Sequence, residues 1–294
     1  MIDLITVVFR EEIPFLKIQA QSINQYLNSV EINTITIVVN DTDDVVDLID
    51  PTWFTHPNVK IVPYSKWNYT PRINGWENQQ LCKLLAAGEA QSEWSLVLDS
   101  KTWFVKPFRL SELFDSNGRG RVGRCAAFPV FKSSQDFVES LYEISMPDIV
   151  GPHGVPFLFH TATAKELIAS EIDFIEFFQT NVRFPHLVIE FHLYTGFVLK
   201  KYGSLDTLYS EDQVYHPVNI AHFQLDEFDD LLSSMYKSST STASIHRKIY
   251  ELMTPEQFDA WDGFIQNRLN ISVKEIFDER FSTIIRPTKR NSSR

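Results

Sequence analysis

With 294 residues, 44% of them hydrophobic and 22% charged, the chain has the make-up of a globular protein able to bury a sizeable core. Its formal charge of −11 argues against a general nucleic-acid binder, so any anionic ligand has to be met by a local basic cluster. No apolar run approaches the roughly 20 residues that a membrane-spanning helix needs.

Leu4 to Phe9 is a continuous β-rich run, the pattern of a strand buried on both faces. It carries no basic flank and reads as a strand, not a signal peptide. Ile13, Leu16, Ala20, Ile23 and Leu27 then recur with helical spacing across residues 12 to 28. Thr34 to Val39 predicts a second buried strand ending at Asn40-Asp41, and Thr42 to Ile49 a short helix. Val59 to Pro63 is a third strand, Gly75 to Ala90 a helix, and Trp94 to Leu98 a fourth strand ending at Asp99. This alternation predicts an α/β fold: a doubly wound, mostly parallel sheet flanked by helices, with its ligand in the crevice at the carboxyl ends of the strands. Phe9-Arg10, Asn40-Asp41, Pro63-Tyr64 and Asp99-Ser100-Lys101 lie at those ends.

Beyond residue 108 the pattern loosens. Ser116 to Arg124 reads as a Gly/Arg loop, Cys125 to Phe131 as a strand, and Gln135 to Ile144 as a short helix. Met146 to Pro156 is a Pro/Gly loop of the kind that borders binding sites. Leu187 to Lys201 predicts a helix carrying Glu190, His192 and Tyr194. Ser233 to Ser244, rich in Ser and Thr, is expected to be mobile. Thr254-Pro255-Glu256-Gln257 opens a capped helix that docks through Phe258, Trp261, Phe264 and Ile265, and the last residues, from Pro287, form a frayed tail. The organisation expected is residues 1–108 as a ligand-binding half, 109–232 as the second half of the same domain, and 233–294 as the mobile segment with C-terminal helices. Cys82 and Cys125 sit in apolar contexts and read as small buried hydrophobes of a reducing compartment, which places the protein in a cytoplasm.

Four stretches carry candidate chemistry. In "LVLDSKTWF" Asp99 is a candidate oxygen ligand for a divalent metal such as Mn or Mg, but Lys101 sets an ammonium where a second carboxylate would serve that ion. An ammonium there opposes a cation and instead suits direct contact with phosphate; the competing reading is a solvated turn lysine. In "RINGWENQQLCKLL" the stripe of Trp76, Gln79 or Gln80, and Lys83 offers aromatic, amide and ammonium groups, although an ordinary amphipathic helix would look the same. In "VIEFHLYTGF" Glu190 is a carboxylate able to act as a general base, or a plain surface residue. In "SIHR" His246 and Arg247 suit a diphosphate, the guanidinium in bidentate fashion. The histidines show no zinc spacing, and neither a P-loop nor a nucleophile elbow occurs.

The same segments, in the same order, resemble a GT-A-type glycosyltransferase. The likeness is to a poorly characterised bacterial and phage family in which a Gln-Gln-x-x-Lys-Leu helix precedes a Leu-Asp-Ser-Asp strand end, followed by a Ser-Glu-Tyr helix and a late His-Arg. Here these read "GWENQQLCKL", "LVLDSKTWF", "IEFHLYTGF" and "SIHR", spanning residues 3 to about 250. The resemblance implies a GT-A-like fold and a nucleotide-sugar donor, with Phe9, Arg10 and Asp41 at the base and ribose. It puts Asp99 and Ser100 by the ribose and diphosphate, and Lys83, His246 and Arg247 near the phosphates. It also puts Glu190 at the position of an inverting base; apart from the resemblance, Asp148 in the Pro/Gly loop is a second candidate, and Trp76 and Gln80 of the helix stripe are counted with the donor-binding residues. Lys101 departs from the pattern by replacing the second Asp, and "IEFHLYT" by lacking the Ser-Glu-Tyr.

The resulting expectation is a glycosyltransferase that moves a sugar from a UDP-sugar to a hydroxyl of a glycan or other acceptor. Lys101 and Arg247 stabilise the leaving diphosphate, and metal is dispensable or weakly held. The protein would work in a bacterial cytoplasm, or in that of the host if phage-encoded. The rival is a protein of the same fold that binds the nucleotide sugar without turning it over. A nucleotidyltransferase would need a Gly-rich basic loop after the first strand, which "FREEIP" does not supply.

Overall fold

The computed structural model describes residues 1–151, 155–183, 185–220 and 224–277. Pro152 to Gly154 of the Pro/Gly loop, His222 and the expected tail lie outside the described residues. Its centre is a five-stranded sheet. Strands β1 (Ile2–Val8), β2 (Ile32–Val39), β3 (Val59–Pro63) and β4 (Trp94–Asp99) run parallel in the order β3-β2-β1-β4. All seven residues of β1 are buried, as its unbroken apolar run predicts for a strand covered on both faces. Helices α1 (Ile13–Tyr26) and α2 (Gly75–Glu89) make the crossovers that parallel pairing demands. The fold is therefore mixed α/β with a mainly parallel sheet flanked by helices.

After β4 the chain turns at Ser100-Lys101 into β5 (Thr102–Phe104), which leaves the main sheet. Helix α3 (Lys132–Tyr142) follows, then β6 (Phe157–His160), which pairs antiparallel with β4 and closes that edge. Helices α4 (Thr161–Ala169), α5 (Phe174–Asn181) and α6 (Glu190–Tyr202) come next. A second, three-stranded sheet joins β7 (Pro217–Ile220) to β8 (Thr242–Ile245) in parallel, and β8 to β5 antiparallel. Helix α7 (Phe228–Met235) links β7 to β8, and α8 (Arg247–Leu252) and α9 (Pro255–Leu269) follow before the described chain ends at Phe277.

Two apolar cores result. One lies around the five-stranded sheet; the other gathers Phe15 of α1, Trp103 of β5, Ala243 and Ile245 of β8, and Trp261 and Phe264 of α9. Helix α9 starts as the sequence predicts, with the Thr254 hydroxyl and the Gln257 side chain capping each other's backbone N–H groups.

Three expectations are corrected. The Ser/Thr-rich stretch is not loose: Thr240, Ser241 and Thr242 are buried, and β8 is held between β5 and β7, where β-branched Thr and small Ser suit a pleated surface. The expected strand from Cys125 stops at Cys125, because Pro129 has no N–H for a ladder; Pro129–Phe131 form a 3-10 turn with Phe128 and Val130 exposed. Cys82 is fully buried, as expected, whereas Cys125 is half-buried and its Sγ donates to the Gly151 carbonyl at 2.9 Å.

Candidate active site

The parallel register decides which residues meet. Val7 of β1 lies opposite Asp99 of β4, and Val8 opposite Val39 of β2. Phe9 to Glu12, Asn40-Asp41 and Ser100-Lys101 therefore leave the sheet side by side. Antiparallel pairing sets Ser244 opposite Thr102, so the next residues, His246 to Lys248, arrive beside the same turn. Helix α2 is tethered by Asn40, whose Nδ2 donates to the Gly75 carbonyl at 2.6 Å while its Oδ1 accepts from Asn78 at 2.5 Å. These ends enclose a cleft of about 620 Å³. Phe9, Asp41 and Trp76 line it together with Lys101, His246 and Arg247, and so do Glu12, Gln79 and Lys248.

Gln19, fully buried on α1, fixes the turn at the cleft floor. Its Nε2 donates to the carbonyls of Asp99 (2.7 Å) and Thr102 (2.6 Å), and its Oε1 accepts from the Thr6 hydroxyl at 2.8 Å. A line of alternating charges starts from that turn. The Lys101 ammonium is 3.5 Å from Glu12 Oε1 and 3.1 Å from Asp99 Oδ2. Lys83 is 2.8 Å from Asp99 Oδ1 and 3.1 Å from Glu190 Oε1. Gln79 Nε2 donates to Asp99 Oδ1 at 3.1 Å, and the buried Ser100 hydroxyl donates to Glu12 Oε2.

Three carboxylates against two ammoniums leave this line one negative charge, and its desolvation is offset only because each group has an opposite partner. Burial would push the Asp99 carboxyl up, but Lys101 and Lys83 beside it hold it well below the usual range. Burial would lower Lys83 and Lys101; Asp99 with Glu190 or Glu12 raises both above the ordinary lysine value. Burial raises Glu190, with Lys83 pulling the other way.

A divalent ion does not fit this donor set as it stands. The Asp99 oxygens face Lys83 and Lys101, and those of Glu12 face Lys101 and Ser100. A cation on these oxygens would sit near an ammonium, at a cost on the order of 4 kcal/mol per pair of unit charges 4 Å apart at an effective dielectric of 20. Among the described residues no group of three or more His, Cys, Asp or Glu side chains forms a metal site.

Of the residues singled out from sequence, Phe9, Asp41, Trp76, Lys101, His246 and Arg247 share the cleft lining. The Arg247 guanidinium lies over the Phe9 ring, 5.0 Å from its centroid, and Trp76 is 52% exposed. His246 caps α8, its Nδ1 accepting from the Lys248 N–H. Asp99, Ser100, Lys83 and Glu190 form the layer beneath, Lys83 with its ammonium 5.3 Å from the Phe191 ring centroid. Arg10 turns away: its backbone N–H donates to Asp41, but its guanidinium pairs with Asp44 at 2.5 Å. Gln80 is buried, its Oε1 accepting from the Glu190 N–H at 3.3 Å and its Nε2 without a hydrogen-bond partner among the described residues, so Gln79 is the amide that faces the cleft. Asp148 is exposed just before the short strand Ile149–Val150 and does not line the cleft. Nothing in the local pattern marks Gln19, which looks like any polar helix residue, or Glu12 in "FREEIP". Lys248 follows directly on "SIHR" and was within reach.

The sequence matches, over residues 5–227, a family described as "Family of unknown function (DUF6492)". No curated protein matches. Among solved structures, the chain is similar to the bifunctional glycosyltransferase WbbM in its apo form, at 13% identity and a TM-score of 0.46. That match covers 94% of this chain and 51% of WbbM, so this chain spans about half the length of that protein. It is also similar to the galactosyltransferase LgtC in complex with donor and acceptor sugar analogues, at 12% identity and a TM-score of 0.43, covering 90% of this chain and 100% of that one.

Proposed function

The chain belongs to the DUF6492 family, of unknown function, and from that premise we propose that it is a glycosyltransferase that moves a sugar from a nucleotide sugar, a UDP-sugar, to a hydroxyl of a glycan or other acceptor. One observation carries the reading: at the carboxyl ends of parallel strands, a cleft lines up aromatic faces (Phe9, Trp76), three carboxylates (Glu11, Glu12, Asp41) and four basic side chains (Lys101, His246, Arg247, Lys248), of which Lys101 is paired with Glu12 and Asp99. In a chain of net charge −11 such a basic group is the local feature that a diphosphate requires.

In this reading the base stacks on Phe9, Asp41 accepts from the ribose, and the diphosphate meets Arg247, Lys248 and His246, with Lys101 at the cleft floor. Trp76 offers a face to the sugar. The acceptor oxygen gives its proton to a general base and attacks the anomeric carbon. The bond from that carbon to the phosphate oxygen breaks, and the nucleoside diphosphate leaves with the electron pair, its charge met by the basic group. Glu190 is the base of this scheme.

Calorimetric titration with UDP, GDP and UDP-sugars, first in EDTA and then with manganese, tests the proposal. UDP is expected to bind in EDTA, and Arg247→Ala to weaken it at least about tenfold, the loss of a charge-assisted bidentate contact. No binding of any nucleotide would sink the reading. Release of UDP from a bound UDP-sugar separates a transferase from a protein that only holds the donor.

A further inference from the structure

We propose that Glu12 and Asp99 form a two-carboxylate cation seat that the Lys101 ammonium fills, so that the chain carries its own cation at the end of β4 and loss of that ammonium opens the seat to a divalent ion. The ammonium lies 3.1 Å from Asp99 Oδ2 and 3.5 Å from Glu12 Oε1, and both Glu12 and Lys101 line the cleft. Neither carboxylate depends on the lysine for its position. Asp99 is held through Oδ1 by Lys83 and Gln79 and through its backbone carbonyl by Gln19, and Glu12 is held through Oε2 by Ser100. One oxygen of each, Asp99 Oδ2 and Glu12 Oε1, is left facing the ammonium.

The charge count points the same way. With Lys101 the buried line carries −1; without it, three carboxylates and Lys83 carry −2, which one divalent ion neutralises. Carboxylate oxygens with cleft water completing the shell suit Mn²⁺ or Mg²⁺. Glu12 would thus supply the second acidic ligand from the turn after the neighbouring strand β1, in place of residue 101 itself.

The seat belongs to the same cleft as the transferase reading, but its test contains no nucleotide, so either can fail alone. Mn²⁺ binding is measured by water-proton relaxation on the wild-type chain, Lys101→Ala and Lys101→Ala/Glu12→Gln. Lys101→Ala is expected to bind one Mn²⁺ at least about tenfold more tightly than wild type, and Glu12→Gln to reverse that gain. A gain below tenfold, or a gain that survives Glu12→Gln, overturns the proposal. Lys101→Gln, which keeps the side chain's reach, replaces the alanine variant if that does not fold. Unfolding of both, followed by circular dichroism, overturns it equally, since a seat held by Gln19, Ser100 and Lys83 has to outlast the ammonium.

Discussion

Lys83 is the hinge of the site's electrostatics. A fully buried ammonium is tolerated only because Asp99 and Glu190 both accept from it, and each of those carboxylates is tolerated for the same reason. This gives Glu190→Gln two distinguishable consequences. If Glu190 takes the acceptor's proton, the variant loses at least about a hundredfold in turnover while UDP affinity stays within about threefold, the range that general-base removal produces. If affinity falls together with turnover, Glu190 acts by holding Lys83 and Asp99 in place and the base lies elsewhere. The geometry of these side chains was only partly legible in advance. Lys83, Asp99 and Glu190 stood out as chemistry-bearing types, but their mutual pairing depends on α2, β4 and α6 converging, and no local spacing encodes it. Gln19 went unweighed, and Gln79 could not be told from Gln80, because an amide on a helix has no pattern until its partners are known.

The helices and strands behind the site follow their sequences closely where the apolar pattern is strong. Strands β1, β2 and β4 and helices α1 and α2 appear where continuous or 3.6-periodic apolar runs put them. Weaker signals misled: "CAAFPVF" reads as a strand although Pro129 opens a 3-10 turn within it, and the Ser/Thr stretch reads as a mobile segment although β8 finds partners on both sides. Gly196 shows how tightly these elements seat. A Cβ there would lie 2.1 Å from Val138 Cγ1 and 3.1 Å from Tyr142 Cδ2, both on α3, and Val138 is fully buried with a stiff β-branched side chain. Gly196→Ala is therefore expected to destabilise the chain by about 1–3 kcal/mol despite alanine's better helix propensity. Chemical denaturation checks this, and an unchanged or increased stability would mean that α3 and α6 separate at little cost.

The buried phenols and ammoniums give the folded protein one marked pH response. Burial raises the hydroxyls of Tyr69, Tyr142, Tyr194, Tyr209 and Tyr215, and the carboxylates beside Lys83 and Lys101 raise those two against their burial. In the unfolded chain all seven ionise near the ordinary values of about 10 for Tyr and 10.4 for Lys. As pH climbs past that window the unfolded state releases protons that the folded state keeps, so stability falls. Each group removes up to about 1.4 kcal/mol per pH unit until its folded value is reached. The melting temperature is expected to drop steeply between about pH 10 and 11, and a flat profile there would refute the burial of these groups. Asp99 acts with the opposite sign: its lowered value contributes stability that is present above the unfolded aspartate value and is lost in acid as pH falls towards the folded one.

Read alone, the amino-acid order settles an α/β chain with parallel strands, since unbroken β-rich runs alternating with amphipathic helices leave few other ways to bury their apolar surface. It also marks Asp99-Ser100-Lys101 as a strand end in the crevice where such sheets bind ligands. Which charges meet there is another matter. Glu12, Lys83, Glu190 and His246 to Lys248 reach Asp99 and Lys101 only through sheet register, the β5–β8 pairing and the docking of α2 and α6. An ion pair is set by distances of 3 to 4 Å across chain segments far apart in sequence, and that proximity is created by packing.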